Sequence, residues 1–277
     1  MNMINCNYYI YNGIIKSVDF SEEVITSKGV TLYEVIRVGS GVPLFIEEHL
    51  TRLENSAKLT KIDLKYDNVE IKRQLKLLIE KNKIYEGNVK IILNHNIDDN
   101  IYAYFIKHRY PLDEMYVKGV ETILYHGERK NPNAKVINLT FREKVDEKII
   151  AAQVFEAILV DNNGNITEGS KSNIFMIKGN DVITAPIKDV LPGVTRDIII
   201  ELLKKLLFNV VERNVNYKEI LKMDALFITG TSPKVLPISK VDETEFSSTN
   251  NPILIRVIIE YNKLIEKYIK NNKDTKN

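Results

Sequence analysis

The chain has 277 residues, 44% of them hydrophobic and 27% charged, which is typical of a folded protein large enough for two domains. Its 39 lysines and arginines against 37 aspartates and glutamates leave a net charge of +2, so neither nucleic acid nor an anionic membrane is expected as a partner. The single cysteine, Cys6, excludes an intrachain disulfide and a cysteine metal cluster, and no metal site is predicted. No signal peptide and no run of ~20 apolar residues is visible, so we expect a cytoplasmic protein.

The first third of the chain alternates strands with helices. Asn12-Gly13 predicts a tight hairpin turn between two short strands. The segment Leu32 to Val38 alternates apolar with polar residues, which is typical of a strand with one buried face. The helices and paired strands predicted after it run from Glu47 to Lys58, Val69 to Asn82, Val89 to Leu93 and Ile101 to Ile106. Together these elements predict a small α/β domain over residues 1–111.

The remainder of the chain predicts a second, larger domain. Residues 112–118, just after Pro111, are expected to form a linker, and residues 119–277 the larger domain. The helices predicted in it run from Lys144 to Gln153, Asp197 to Leu207, Tyr217 to Lys222 and Ile253 to Ile269.

Several short stretches have a composition that suits the binding of an anion or a cofactor. Glu168 lies where a predicted strand ends and a Gly/Ser loop begins, a common location for a functional group. Gly193-Val194-Thr195 opens a helix whose first N–H groups suit a phosphate, although an ordinary capped helix start is the commoner case. Thr229–Ser232 also suits an anion, although most such clusters are turns. Two further cations, which alone are typical of a solvated surface, are Arg52 and Lys135.

The order of these stretches and the motifs around them carry more information than any one of them. As a whole, the chain resembles the fold-type IV pyridoxal-phosphate enzymes, a superfamily of branched-chain aminotransferases, D-amino-acid aminotransferases and aminodeoxychorismate lyases. The most specific part is the run from Thr167 to Phe175 followed by Leu191-Pro192-Gly193-Val194-Thr195-Arg196. The other matching pieces are Tyr33–Val38, Glu48–Leu53, Lys135 with Asn138-Leu139, Glu156–Leu159, and Gly230–Ser232 with Pro237.

The resemblance implies a fold, a cofactor and roles for individual residues. The implied fold is a two-domain α+β or α/β structure with pyridoxal 5′-phosphate in the cleft between the domains. Lys135 is implied to bind the cofactor as an aldimine and later to move the proton between substrate Cα and cofactor C4′. Glu168 is implied to keep the pyridine nitrogen protonated, which makes the ring a stronger electron sink. The other residues implied to hold the cofactor are Arg52, Val194, Thr195, Gly230 and Thr231. The residues implied on the substrate side are Tyr33, Arg37, Lys90 and Ser232.

Three functions are compatible with this resemblance. The first is an aminotransferase that moves an amino group from an amino acid to a 2-oxo acid by a two-step, ping-pong route. The alternative is an aminodeoxychorismate lyase that releases pyruvate, helped by a hydroxyl group such as that of Thr31 or Thr140. The third is a non-catalytic cofactor-binding protein, because the substrate half departs from the family pattern, with Lys90, Asn94 and His95 on the strand where many relatives place arginines. The family also implies a homodimer.

Overall fold

The computed structural model describes residues 4–19, 21–22, 29–62, 64, 67–95, 99–108 and 110–273. The chain divides into two compact units. The first comprises Met1–Arg109, Ala134–Ile137 and Leu264–Asn277, and the second comprises Tyr110–Asn133 and Asn138–Lys263. The predicted linker, residues 112–118, thus falls within the second unit, and residues 134–137 group with the first unit although they lie beyond its predicted boundary.

The first unit contains an antiparallel sheet of six strands in the order β2-β1-β6-β5-β3-β4. The strands are β1 (Tyr8–Tyr11), β2 (Ile14–Ser17), β3 (Val30–Gly39), β4 (Val42–Pro43), β5 (Gly87–His95) and β6 (Asp99–Ile106). Asn12 and Gly13 join β1 to β2 with φ angles of 47° and 83°, which confirms the predicted hairpin turn. The predicted pairing of Val89–Leu93 with Ile101–Ile106 is confirmed as well, because these segments lie in the paired strands β5 and β6.

Two helices, α1 (Ile46–Thr60) and α2 (Asn68–Asn82), share a hydrophobic core with this sheet. Alternation along β3 explains the packing, because Leu32 and Ile36 point into the core formed with Leu50 and Leu53 of α1. Tyr33 and Val35 belong to the opposite face of β3, where they pack against a second cluster. Any charged residue on the core face of β3 therefore requires a buried partner.

The second unit is built on a mixed sheet of ten strands. Nine of them follow the order β12-β11-β10-β14-β15-β7-β8-β9-β13, and β16 pairs with β15. The strands are β7 (Val120–His126), β8 (Glu156–Val160), β9 (Asn165–Gly169), β10 (Asn173–Lys178), β11 (Asp181–Thr184), β12 (Asn209–Glu212), β13 (Val215–Asn216), β14 (Ala225–Gly230), β15 (Lys234–Val241) and β16 (Thr244–Glu245). Three of the pairs, β7 with β8, β7 with β15 and β11 with β12, are parallel.

The remaining α-helices of the described residues are α3 (Asp113–Lys118), α4 (Leu139–Ala152), α5 (Val194–Lys205) and α6 (Pro252–Lys273). The predicted short helix Tyr217–Lys222 is present as a 3-10 helix. Helix α4 begins before the predicted Lys144, because the Asn138 side chain accepts a hydrogen bond from the N–H of Phe141 and caps the helix there. Helix α5 likewise begins before the predicted Asp197, with Gly193 as its N-cap. Across the described residues, every helix is too short or too polar to cross a membrane.

Candidate active site

Lys135 is held at the edge of the first unit's sheet by its own backbone. The N–H of Tyr33 donates to the Lys135 carbonyl at 3.1 Å, and the N–H of Ile137 donates to the Thr31 carbonyl at 3.0 Å. These two bonds align residues 135–137 antiparallel to the start of β3, with Lys135 opposite Tyr33. The N–H of Lys135 also donates to Ser56 Oγ of α1 at 3.2 Å. The position of the lysine is therefore fixed by both a strand and a helix.

The Tyr33 ring contacts two ammonium groups on the face of β3 that points away from the core. Lys135 Nζ lies 4.7 Å and Lys90 Nζ 5.1 Å from the ring centroid, within the range of cation–π attraction. Lys90, on β5, is also paired with Glu22. Arg37 lies on the same face of β3 as Tyr33. Three predicted substrate-side residues and the predicted catalytic lysine are thus in the same part of the first unit.

A buried ion cluster lies on the core face of β3. Both oxygens of Glu34 accept from Arg52, with Nε to Oε1 and Nη2 to Oε2 each at 2.7 Å, and His49 Nδ1 lies 2.8 Å from Oε2. Burial raises the pKa of Glu34, but the charge and hydrogen bonds of Arg52 and His49 outweigh it and lower that pKa to about 2. Burial lowers the pKa of His49, partly opposed by Glu34. The cluster is therefore an ionised Glu34–Arg52 pair beside a neutral His49.

Replacing Glu34 with leucine is expected to lower the free energy of unfolding by about 3–5 kcal/mol, because the Arg52 charge would stay buried without its carboxylate. Urea unfolding of the apoprotein measures this loss. The matched control, Glu114→Leu, breaks an exposed ion pair with Lys118 and is expected to change the free energy by less than about 1 kcal/mol. Equal losses in the two variants would contradict the assignment of a stabilising role to this cluster.

The same pair has a defined acid dependence. The pKa of Glu34 is 4.5 before folding and about 2 in the folded protein, so its stabilising contribution is complete above pH 4.5. The contribution is lost as the pH falls from 4.5 towards 2, since the carboxylate must then be protonated.

In the second unit, Glu168 lies near the end of β9 and is 2% exposed. Its Oε2 accepts from the N–H of Leu191 at 3.1 Å, and its Oε1 lies 3.2 Å from Arg129 Nε. Arg129 also donates from Nη2 to the carbonyl of Ser170 at 2.5 Å. The predicted location of Glu168, at the junction of a strand and a loop, is confirmed. The carboxylate is buried in contact with a cation and a backbone donor.

The start of α5 lies beside the hairpin that joins β14 to β15. Gly193 caps α5 without a side-chain hydrogen bond, and a Cβ at this residue would lie 1.9 Å from Asn173 Oδ1. Asn173 donates to the Leu191 carbonyl at 2.9 Å and is paired across the sheet with Thr229. Asn173 therefore connects the helix start, which carries Val194 and Thr195, to the turn of Gly230, Thr231 and Ser232.

This part of the second unit has the features of a phosphate site. The N-terminus of α5 offers backbone N–H groups and the positive end of a helix dipole. Among the residues that the structure describes, the Thr229 hydroxyl is fully buried and has no hydrogen-bond partner. A buried hydroxyl of this kind is uncommon in native proteins unless water or a bound group satisfies it. The chemistry of the site thus fits an anionic ligand such as the cofactor phosphate.

Four residues around the predicted site were missed in the sequence. Glu34 carried a recognisable signal, since a carboxylate between Leu32 and Ile36 on the core face of an alternating strand requires a buried cation. Asn173 lies in the Thr167–Phe175 run, although no role was predicted for it. Arg129 and Ser56 carried no signal, because their contacts depend on how distant segments come together. The structure brings the predicted residues into two groups, one in each unit. The group in the first unit is Tyr33, Arg37, Arg52, Lys90 and Lys135, and the group in the second is Glu168, Val194, Thr195, Gly230, Thr231 and Ser232.

Comparison with known proteins gives a consistent picture. The family model described as amino-transferase class IV matches residues 31–241, a span that contains every predicted site residue. A D-alanine aminotransferase from Bacillus licheniformis is 30% identical over 226 residues, covering 77% of this chain and 80% of that relative. The branched-chain amino acid aminotransferase of Escherichia coli has the same fold, with a TM-score of 0.86, 23% identity and coverage of 94% of this chain and 95% of that one. A Legionella pneumophila structure, provisionally named a 4-amino-4-deoxychorismate lyase, has a TM-score of 0.78 and 24% identity, covering 90% of this chain and 95% of that chain.

Proposed function

The chain belongs to the class IV aminotransferases, and from this premise we propose that Lys135 and Glu168 are the residues with which it transfers an amino group from an amino acid to a 2-oxo acid. Its cofactor is pyridoxal 5′-phosphate, on which enzymes of this family depend. The observation that carries the proposal is the position of Lys135, which two backbone hydrogen bonds and Ser56 hold opposite Tyr33. A lysine in an ordinary surface loop would have no such support.

We assign the phosphate of the cofactor to the start of α5 and to the turn after β14. The N–H groups of Val194 and Thr195 point out of the helix end, and Thr231 adds a hydroxyl. We propose that Arg52, whose guanidinium is ion-paired with Glu34, also contributes positive charge to phosphate binding, as the family resemblance implies. The glycine at position 193 leaves room beside Asn173 that a side chain would fill.

The bound cofactor supplies a carbonyl group that takes the substrate's amine and an aromatic ring that accepts electrons. We propose that Lys135 Nζ takes the proton from Cα of the amino-acid donor. In the second half of the reaction, the same group returns a proton to Cα of the product formed from the 2-oxo acid. The contact with the Tyr33 ring limits the positions that Nζ can take. With the cofactor bound, Glu168 would supply a negative charge to the ring nitrogen and so keep a proton there.

The substrate side is proposed to involve Tyr33, Arg37, Lys90 and Ser232. Lys90 and Arg37 place positive charge on the face of the sheet that Tyr33 and Lys135 share, which suits the carboxylate of an amino acid or a 2-oxo acid. Ser232 lies in the turn after β14, beside the residues assigned to the phosphate. The names of the relatives differ in substrate, so the preferred amino acid must be determined by experiment.

Titrating the purified holoprotein with L-alanine, L-glutamate, L-leucine and D-alanine in turn tests this function. We expect at least one of them to convert the absorbance of the aldehyde form of the cofactor to that of the amine form, and a 2-oxo acid to reverse the change. The chirality and side chain of the active donor define the substrate class. Failure of all four, together with failure of further amino acids, would contradict the aminotransferase assignment.

The lyase remains a second candidate because of Thr31. Thr31 is buried, accepts from Asn94 Nδ2 at 2.7 Å and lies next to the strand pairing that holds Lys135. Thr140, the other hydroxyl considered, is an exposed residue of α4 in the second unit. Release of pyruvate from aminodeoxychorismate, without a net change to the amine form of the cofactor, would support the lyase. Membership of an enzyme family argues against the non-catalytic alternative.

We also propose that the protein is a cytoplasmic homodimer, as the family resemblance implies. The single cysteine suits a reducing compartment. Analytical ultracentrifugation should then give a mass of twice the 31.9 kDa of one chain.

A further inference from the structure

Arg129 is the cation that contacts the Glu168 carboxylate within the second unit. Its Nε lies 3.2 Å from Glu168 Oε1, and its side chain is one-fifth exposed while that of Glu168 is almost fully buried. A carboxylate removed from water favours the protonated form unless a charge or hydrogen bond stabilises the anion. Leu191 supplies one such hydrogen bond to Oε2, and Arg129 supplies the charge at Oε1.

The Arg129 guanidinium is itself held by a loop whose conformation a second carboxylate fixes. Nη2 of Arg129 donates to the carbonyl of Ser170 at 2.5 Å, so the orientation of the guanidinium depends on the loop after β9. Glu156 fixes that loop. Its Oε1 accepts from the N–H of Ser170 at 3.1 Å and from Ser170 Oγ at 2.5 Å, and its Oε2 accepts from Ser172 Oγ at 3.2 Å.

A glycine completes this support. A Cβ at Gly169 would lie 2.1 Å from Ser172 Oγ, so a side chain at this position would displace the Ser172 hydroxyl from Glu156. Glu156 is 3% exposed and thus forms a rigid, fully buried anchor. The series from Glu156 through Ser170 and Arg129 to Glu168 is continuous and lies entirely within one unit.

We propose that Arg129 is a positioning residue that keeps Glu168 ionised and oriented, so that the proton shared with the cofactor's ring nitrogen stays on the ring. This inference rests on the role proposed above for Glu168. The Arg129 charge lies 3.2 Å from the Glu168 carboxylate, and a protonated ring nitrogen bound to that carboxylate would lie farther from Arg129. Because Coulomb energy falls with distance, Arg129 stabilises the ionised Glu168 more than it destabilises the protonated ring. Without Arg129, the proton would move to Glu168 and the ring would become a weaker electron sink.

Infrared difference spectra of the apoprotein test this directly. The spectrum of Arg129→Met minus that of the Arg129→Met/Glu168→Gln double variant isolates the Glu168 carboxyl group. We expect a protonated-carboxyl band there, whereas wild type minus Glu168→Gln should show only the ionised carboxylate. Arg129→Lys keeps the charge and should restore the carboxylate band. In the holoenzyme, kcat should fall about 10- to 100-fold in Arg129→Met, the range found when a residue that supports a functional group is lost, and recover partly in Arg129→Lys.

A matched control is Arg142→Met, which removes an arginine of the same unit that pairs with Asp146 and makes no ion pair with Glu168. It should leave the Glu168 band and kcat unchanged. If Arg129→Met does not fold, Arg129→Gln serves in its place, since an amide can still donate to the Ser170 carbonyl but carries no charge. An ionised Glu168 in the uncharged variant would overturn the inference. If Glu168→Gln alone leaves kcat unchanged, the proposed role of Glu168 fails, whatever the infrared spectra give for Arg129.

Discussion

Replacing Lys135 with alanine is expected to abolish amino-group transfer, with kcat reduced by more than about 10³-fold. The variant loses the amine that binds the cofactor covalently and that moves the proton at the substrate Cα, and proton transfer alone contributes about 10²- to 10⁴-fold. The backbone of residue 135 makes its hydrogen bonds to Tyr33 and Ser56 whatever the side chain, so the fold should be retained. Steady-state assays with the active donor, and the visible absorbance of the lysine-bound cofactor, measure the two losses.

The control for this experiment is Lys148→Ala, which removes an exposed lysine of α4 and should change neither quantity. Lys135→Arg adds a second comparison, because it keeps a positive charge near Tyr33 but cannot form the covalent bond. Persistence of the visible band in Lys135→Ala would show that another lysine binds the cofactor. The assignment of Lys135, and with it the proposed mechanism, would then be wrong.

The parts of the fold that sequence periodicity determines were predicted well. The alternating residues of β3 appear in the core as expected, and the helix predicted from Glu47 to Lys58 buries Leu50, Leu53 and Ala57, because burial of apolar surface sets both patterns. The Asn12-Gly13 turn followed from backbone conformation alone. Helix starts were less accurate at α4 and α5, where local capping by Asn138 and Gly193 extends each helix towards the N-terminus. Capping depends on one or two residues at the helix start, so the periodicity of apolar residues along a helix does not predict where the helix begins.

The site was predictable only where a motif marks it. Lys135 and Glu168 were predicted as site residues by resemblance, and spacing alone would not have paired them with any partner. The support for each comes from distant segments, such as Ser56 of α1 for Lys135 and Arg129 for Glu168. Arg129 precedes Glu168 by 39 residues (168 − 129) and lies in a loop without periodicity, so no local pattern predicts the contact. The substrate preference was not predictable for the same reason, since the side chains proposed to set it, such as Lys90, come together only in the tertiary structure.

Changing Glu168 to glutamine is expected to lower kcat about 10²- to 10³-fold while the protein still binds pyridoxal 5′-phosphate. Glutamine preserves the size of the side chain and can accept the hydrogen bond from Leu191, but it carries no negative charge. The proton on the ring nitrogen would then lack its counter-ion and would lie close to the uncompensated charge of Arg129. The loss falls on the chemical step because the ring becomes a weaker electron sink, whereas the phosphate contacts assigned to Val194, Thr195 and Thr231 are untouched.

Two measurements separate this result from general damage to the protein. The dissociation constant of the cofactor should change less than about tenfold, since a single lost charge interaction of about 1.4 kcal/mol corresponds to that factor. The single-turnover rate of conversion to the amine form should fall as steeply as kcat, because the chemical step itself is slowed. Glu147→Gln, an exposed residue of α4, provides the control and should behave as wild type in both measurements. An unchanged single-turnover rate in Glu168→Gln would remove Glu168 from the ring nitrogen and leave its contact with Arg129 as a purely structural ion pair.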